Sequence, residues 1–235
     1  MSNSRFAELR RREIVVSPER LSMLGDAIFA IAITLLVLDI SVPEGLRDSE
    51  VPHALRELLP SIGAYLLSFV VIGILWLTQH ALFELVATVD RVLLYLYFAL
   101  LAVVAALPFP TKLISEYGNT PTATAVYSGA IALALAFLSA MYQRLLAAPA
   151  LATADASPAL LRRAVRRNLL HVLVFATAVP VAFWSPDLAK YWWLLAAPVR
   201  VLFRVPVETA AADAADGEPS QKTAQGPAAP PRRQG

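Results

Sequence analysis

The chain has 235 residues, 57% of them hydrophobic and 16% charged, with a mean hydropathy of +0.59. This balance excludes an ordinary soluble domain and fits an all-α, polytopic membrane protein. The net charge of +2 says little about nucleic acid, since the basic residues are not gathered on one domain, and no nucleic-acid partner is expected; the absence of cysteine excludes disulfides and thiolate metal sites.

Residues 1–19 form a polar, basic segment with Arg10, Arg11 and Arg12 in a row and without the apolar region and cleavage site of a signal peptide. Ser17, Pro18 and Glu19 read as a helix start, with Ser17 at the cap. The first helix then runs to about Val42, where Pro43 and Gly45 end it. Its apolar part, Leu21 to Leu38, is long enough to span a bilayer, which takes about 20 residues. At about 100° per residue, Ile31, Leu35 and Leu38 fall within roughly 60° of one another, with Thr34 beside them and Ala27 continuing the stripe. Asp26 points roughly 140° away from Ile31. An acid at membrane depth is costly and needs partners from neighbouring helices, which makes Asp26 a functional-site candidate.

A second helix is expected from Pro60 to Phe83 and a third from Arg91 to Leu107, stopped by Pro108 and Pro110. The fourth covers Thr122 to Leu146. A small-residue loop and the basic stretch LLRRAVRRN lead to a fifth, Asn168 to Trp184, and after Ser185-Pro186-Asp187 a sixth runs from Leu188 to Phe203. The organisation is thus a basic cytoplasmic segment (1–19), a six-helix transmembrane domain (20–204) and a disordered cytoplasmic tail (205–235) rich in Ala, Pro, Gly and Gln. Sixteen of the 20 Lys and Arg residues lie at the N-terminus, in the loops after the second and fourth helices, and on the C-terminal side; the other four are Arg47, Arg56, Lys112 and Lys190. This bias places both termini in the cytoplasm of a multi-pass inner (plasma) membrane protein. Trp184, Tyr191, Trp192 and Trp193 would then form an aromatic belt at the outer interface.

No catalytic constellation is present: there is no G-x-S-x-G, H-E-x-x-H, P-loop or Rossmann glycine pattern, so no enzyme and no cofactor is expected. His53, His80 and His171 are too scattered for a metal site. A T-V-G-Y-G-like carbonyl filter is absent too, so any conduction must use side chains of the first helix. Trp76, Gln79 and His80 share one face of the second helix at i, i+3 and i+4 and are candidate partners for Asp26 and Arg20. Arg20 and Asp26 lie about 120° apart around their own helix and cannot satisfy each other. Ordinary packing of the aliphatic stripe, and interfacial roles for Trp76 and His80, stand as alternatives.

The stretch Arg20, Leu24, Gly25, Asp26 followed by AIFAIAITLLVLDISVP resembles the first helix of the potassium channels of the transmembrane-protein-175 family, known from lysosomes and, in shorter form, from bacteria. That family opens this helix with R-x-x-x-F-S-D; Arg20 and Asp26 match, while Leu24 and Gly25 replace the Phe and Ser. Bacterial members read W-x-N-H-H on the second helix; Trp76 and His80 match, with Thr78 and Gln79 between them. LPFPTKLISEYG extends the resemblance, which covers roughly residues 18 to 200. The resemblance implies a homotetrameric channel passing potassium ions, with Ile31, Leu35 and Leu38 at a hydrophobic constriction, Thr34 as the polar residue nearest the ion, and Arg20, Asp26, Trp76, Gln79 and His80 in a polar network that holds the first helix. In a ring of subunits Asp39 would concentrate cations at the mouth; a solvated acid at the helix end is the equal alternative. The competing readings are a proton-coupled secondary transporter using Asp26 and His80, and a non-conducting membrane scaffold.

Overall fold

Eight α-helices follow one another in the computed structural model, which describes residues 16–196, the side chain of residue 39 excepted. They are α1 (Pro18–Leu35), α2 (Val51–Glu57), α3 (Leu59–Phe83), α4 (Arg91–Ala106), α5 (Pro108–Tyr117), α6 (Pro121–Ala147), α7 (Pro158–Trp184) and α8 (Pro186–Trp192). No strand occurs among the described residues; an isolated antiparallel bridge pairs Val86 with Ala152. Among the described residues, five spans are long and apolar enough to cross a membrane: Pro18–Leu38, Leu59–Phe83, Arg91–Tyr117, Pro121–Ala147 and Pro158–Trp184.

Hydroxyl and carboxylate caps start several helices, Ser17 as the sequence reading expects. Ser17 Oγ accepts from the Arg20 N–H at 3.4 Å, Thr120 Oγ1 from Ala123, Ser157 Oγ from Leu160, and Ser185 Oγ from Leu188. α1 ends earlier than its apolar run. Leu36–Asp39 tighten into a 3-10 turn and Ile40 is extended. The short α2 lies in what reads as a polar loop.

The third helix ends at Ala106, next to Pro108 as expected, but the span does not end there: Leu107 keeps helical backbone angles and the chain continues as α5. Both prolines fall in the first turn of α5, where the missing N–H groups are needed least. The carbonyl of Leu107 accepts from both the N–H and the hydroxyl of Thr111, at 3.1 and 2.9 Å. The basic run LLRRAVRRN is helical and continuous with the fifth span, so that α7 starts at Pro158 instead of at the expected Asn168.

α6 is the most buried helix and packs along α7 and against α4. Small residues let it approach closely: Ala123, Ala132 and Ala134 are buried with Tyr127, Ile131 and Leu138 between them. A buried chain of hydroxyls joins three helices, with Ser68 Oγ lying 2.8 Å from Thr111 Oγ1 and 3.1 Å from Tyr127 Oη. Such bonds hold helices together where water cannot.

At one end, the loops after α3 and α6 are stitched by Ala87 and Thr153 N–H bonds to the Leu151 and Leu85 carbonyls. There Arg144 reaches Asp90 through Nε at 3.0 Å and Nη2 at 2.6 Å, while Asp90 Oδ1 caps α4 by accepting from Leu93 N–H. Partial burial pushes the Asp90 carboxyl up, but the hydrogen bonds and charge of Arg144, with the Leu93 N–H, outweigh it and hold the group below the usual carboxylate range.

The aromatic belt is only partly as expected. Trp184 and Tyr191 are exposed. Trp193 turns inward instead, donating to Ser128 Oγ at 3.0 Å and packing on Tyr127, and Trp192 donates to Thr177. The sixth expected helix is represented by α8 and the 3-10 turn Trp193–Leu195; residues 197–203 lie outside the described residues, as do 1–15 and the tail at 205–235.

Candidate ion pathway and the network that supports it

α1 has two unlike faces. Leu21, Gly25, Phe29, Ala32 and, one residue beyond the helix, Leu36 are buried, at intervals of four and three that keep them on one side. That side packs against α3 and α4. On the other side Ala27, Ile31, Thr34, Leu35 and Leu38 are exposed, Ile31 at 58%, Leu35 at 41% and Leu38 at 72%. Thr34 Oγ1 donates back to the Ile31 carbonyl at 2.9 Å, which leaves its oxygen lone pairs as the polar feature of this face. Large apolar side chains in such a stripe need lipid or protein against them. Asp39 closes the 3-10 turn, and its side chain lies outside the described ones.

The buried side of α1 carries the polar contacts. Trp76 Nε1 donates to Asp26 Oδ1 at 2.8 Å, so the acid at membrane depth is met from α3. The Trp76 ring stacks on His80 at 5.5 Å between centroids. His80 is half exposed and lies 3.6 Å from Glu84, one turn on, away from Asp26. Gln79 is fully buried but does not reach Asp26 either: its Nε2 donates to Tyr97 Oη at 3.2 Å. Tyr97 in turn donates to the Leu21 carbonyl at 3.0 Å. Arg20 is exposed, and its described bond is that of its backbone N–H to Ser17. Of the five residues assigned to the network, the structure thus joins Asp26 to Trp76 directly and brings Gln79 and His80 alongside, with Arg20 outside.

Tyr97 is the member that sequence reasoning missed. It sits on α4, its ring packs edge-on against Phe83 at 4.7 Å, and its hydroxyl occupies the space that a side chain at Gly25 would take. A glycine beside the acid, inside a membrane-spanning helix, was the available signal that something approaches closely there.

Five apolar spans, buried hydroxyl links and an intramembrane acid satisfied from a neighbouring helix define a polytopic α-helical membrane protein. Residues 20–108 match the family model described as endosomal/lysosomal potassium channel TMEM175. A potassium channel of Streptomyces collinus is 47% identical over 123 residues, half of this chain and 60% of that protein. One of Chamaesiphon minutus is 40% identical over 124 residues, 50% of this chain and 61% of that protein. The alignments thus span about 60% of the length of these curated relatives. Among solved structures, a lysosomal potassium-selective channel TMEM175 homologue from Chamaesiphon minutus superposes with a TM-score of 0.70 at 27% identity, over 80% of this chain and 98% of that one. Over residues 20–108 the chain is similar to the TMEM175 family, and its fold is similar to that of the solved homologue.

Proposed function

We propose that this protein is a potassium-selective, or weakly selective, cation channel in which α1 helices from several copies surround a hydrophobic constriction. The observation that carries the reading is the uncovered face of α1: Ile31, Leu35 and Leu38 stand exposed in one stripe while the opposite face of the same helix is packed. One chain supplies one such helix, so a closed ring needs several chains, and a homotetramer with cyclic symmetry is the assembly proposed. Rings of Ile31, Leu35 and Leu38 present no ligand to replace an ion's hydration shell, so their width and dryness set the barrier. Thr34 supplies the hydroxyl oxygen nearest the path, and Asp39 sits where cations would gather at the mouth. Asp26, Trp76, Gln79 and His80 keep the helix in place, with Arg20 at its entrance. The names of the relatives, potassium channels in both bacteria, support the ion.

Orientation follows the basic residues: six spans, both termini cytoplasmic, in a cell's inner (plasma) membrane. A proton-coupled carrier built on Asp26 and His80 has less support. Asp26 accepts from an indole N–H, which is a donor only, and His80 faces Glu84.

The test is reconstitution in liposomes with a potassium gradient, with native mass measurement of the assembly. A tetramer is expected, and Leu35→Asn should raise flux and lower potassium-over-sodium discrimination. Leu36→Ala, at a position 1% exposed, should lower yield without that change. A wild type without potassium flux, with Leu35 variants silent, would place the scaffold reading first.

A further inference from the structure

We propose that a crevice between α3, α6 and α7 binds the phosphate of an anionic phospholipid. The crevice has a volume of about 160 Å³. Leu77 and Ala81 of α3 and Leu135 of α6 form its apolar walls, and Arg167, Asn168 and His171 of α7 its polar one. The three polar residues stand at i, i+1 and i+4, on adjacent turns of one helix face.

Two features ask for an anionic acceptor. Asn168 is 3% exposed, yet its Nδ2 has no hydrogen-bond partner among the described residues. A buried amide N–H₂ left unmet is unfavourable, and native proteins rarely leave one so. Arg167, next to it and half-buried, forms no ion pair among the described residues. His171 Nδ1 lies 2.8 Å from the Arg167 carbonyl, which only accepts, so Nδ1 is the donor of that bond. The donors offered to the crevice are therefore the Arg167 guanidinium and the Asn168 amide. No Asp or Glu lines it. A guanidinium and a neutral N–H donor without an acid define an oxyanion site, and a phosphate fits the fork geometry of arginine.

Placement along α7 identifies the source of that phosphate. Four arginines occupy the first part of the helix, and after Arg167 no Asp, Glu, Lys or Arg follows until Asp187. Arg167 and Asn168 therefore stand at the polar–apolar boundary of the span, the level of lipid headgroups. Just beyond, α7 exposes Leu169 and Leu173, and across the crevice Leu77 is also exposed, as a surface for acyl chains. Basic pockets between membrane helices take anionic headgroups on this physical basis. The inference rests on α7 crossing the bilayer and not on conduction.

The experiment uses the full chain, delipidated in neutral detergent, and reads retained lipid by native mass measurement and the thermal midpoint by size exclusion. Probes are phosphatidylglycerol, phosphatidylcholine and inorganic phosphate. Wild type should retain phosphatidylglycerol over phosphatidylcholine and gain thermal stability from it. Arg167→Gln and Asn168→Leu should each weaken retention about tenfold, the loss expected for one charge-assisted or buried hydrogen bond. Asn168→Asp, of equal size, should abolish retention by charge and serves where the leucine variant does not fold. Arg163→Gln, exposed on the same basic run but outside the crevice, should bind as wild type. Equal loss in Arg163→Gln, or undiminished binding in Asn168→Asp, overturns the site. An equal thermal shift with inorganic phosphate alone overturns the lipid assignment in favour of a soluble anion.

Discussion

Adding one methyl group at Gly25 tests the packing that positions α1. A Cβ there would lie 1.8 Å from Tyr97 Oη, 3.1 Å from its Cζ and 3.4 Å from Gln79 Nε2. The ring cannot step aside, because Tyr97 is fully buried and wedged edge-on against Phe83 at 4.7 Å. Gly25→Ala must therefore move α1 away from α4 or turn the hydroxyl out. Both routes break the Tyr97 bond to the Leu21 carbonyl and the Gln79 bond to Tyr97. Leaving two buried polar groups unmet costs about 1–3 kcal/mol each. The gain of replacing glycine by alanine in a helix offsets about 1 kcal/mol, so the net loss is about 1–5 kcal/mol. For a chain of this size that lowers the thermal midpoint by roughly 2–20 °C. The assay is thermal unfolding of wild type, Gly25→Ala, Tyr97→Phe and the double variant in one detergent. With the hydroxyl gone, the nearest atom is Cζ at 3.1 Å, which needs only a small shift. Gly25→Ala should thus cost much less on the Tyr97→Phe background, a coupling of at least about 1 kcal/mol. Strict additivity, or a neutral Gly25→Ala, refutes the close approach of Tyr97 to Gly25.

Asp26→Ala should lower the yield of assembled protein, since it strands the Trp76 N–H at about 1–3 kcal/mol; Trp76→Phe should do the same, and the two losses should not add when combined, as read by fluorescence size exclusion. The Asp90–Arg144 pair predicts acid sensitivity. Asp90 has a folded pKa below its unfolded value, so its contribution is fully present above the unfolded carboxylate pKa of about 3.9 and fades as pH falls through the folded value. Asp90→Asn should melt lower than wild type at neutral pH, and the gap should close in melting curves taken below about pH 4.

The five long spans were legible because runs of 18 or more apolar residues admit few other readings. The faces of α1 were legible for a related reason: from Leu21 to Leu35 the helix is regular, so 100° steps put Ile31 and Leu35 opposite Asp26. Trp76 was visible as a partner through its spacing with Gln79 and His80, but spacing could not say which of the three would touch the acid. The helix boundary at Pro108 was legible, but not the new helix that starts there, because a proline that ends one helix also fits the first turn of the next. Tyr97, and the chain from Thr111 through Ser68 to Tyr127, left no pattern. Each is a single polar atom on a different helix, and their meeting is decided by packing between segments far apart in sequence.

Among the described residues, the hydrogen bonds that fasten α1 to other helices lie in its first half. Leu21, Gly25 and Asp26 are tied or closely fitted to α3 and α4, whereas Thr34 bonds only to its own helix and Leu36 is held by apolar contact. Hydrogen bonds fix register and rotation, while apolar contact is non-directional and resists sliding weakly. α1 is therefore clamped like a reed at one end, stiff against axial displacement there and compliant in bending at the other. The aliphatic residues from Ile31 onward ride on the compliant part. In the assembly, distances between spin labels at Leu38 should be distributed more broadly than those between labels at Met23; equal widths would mean that the helix moves as a rigid rod.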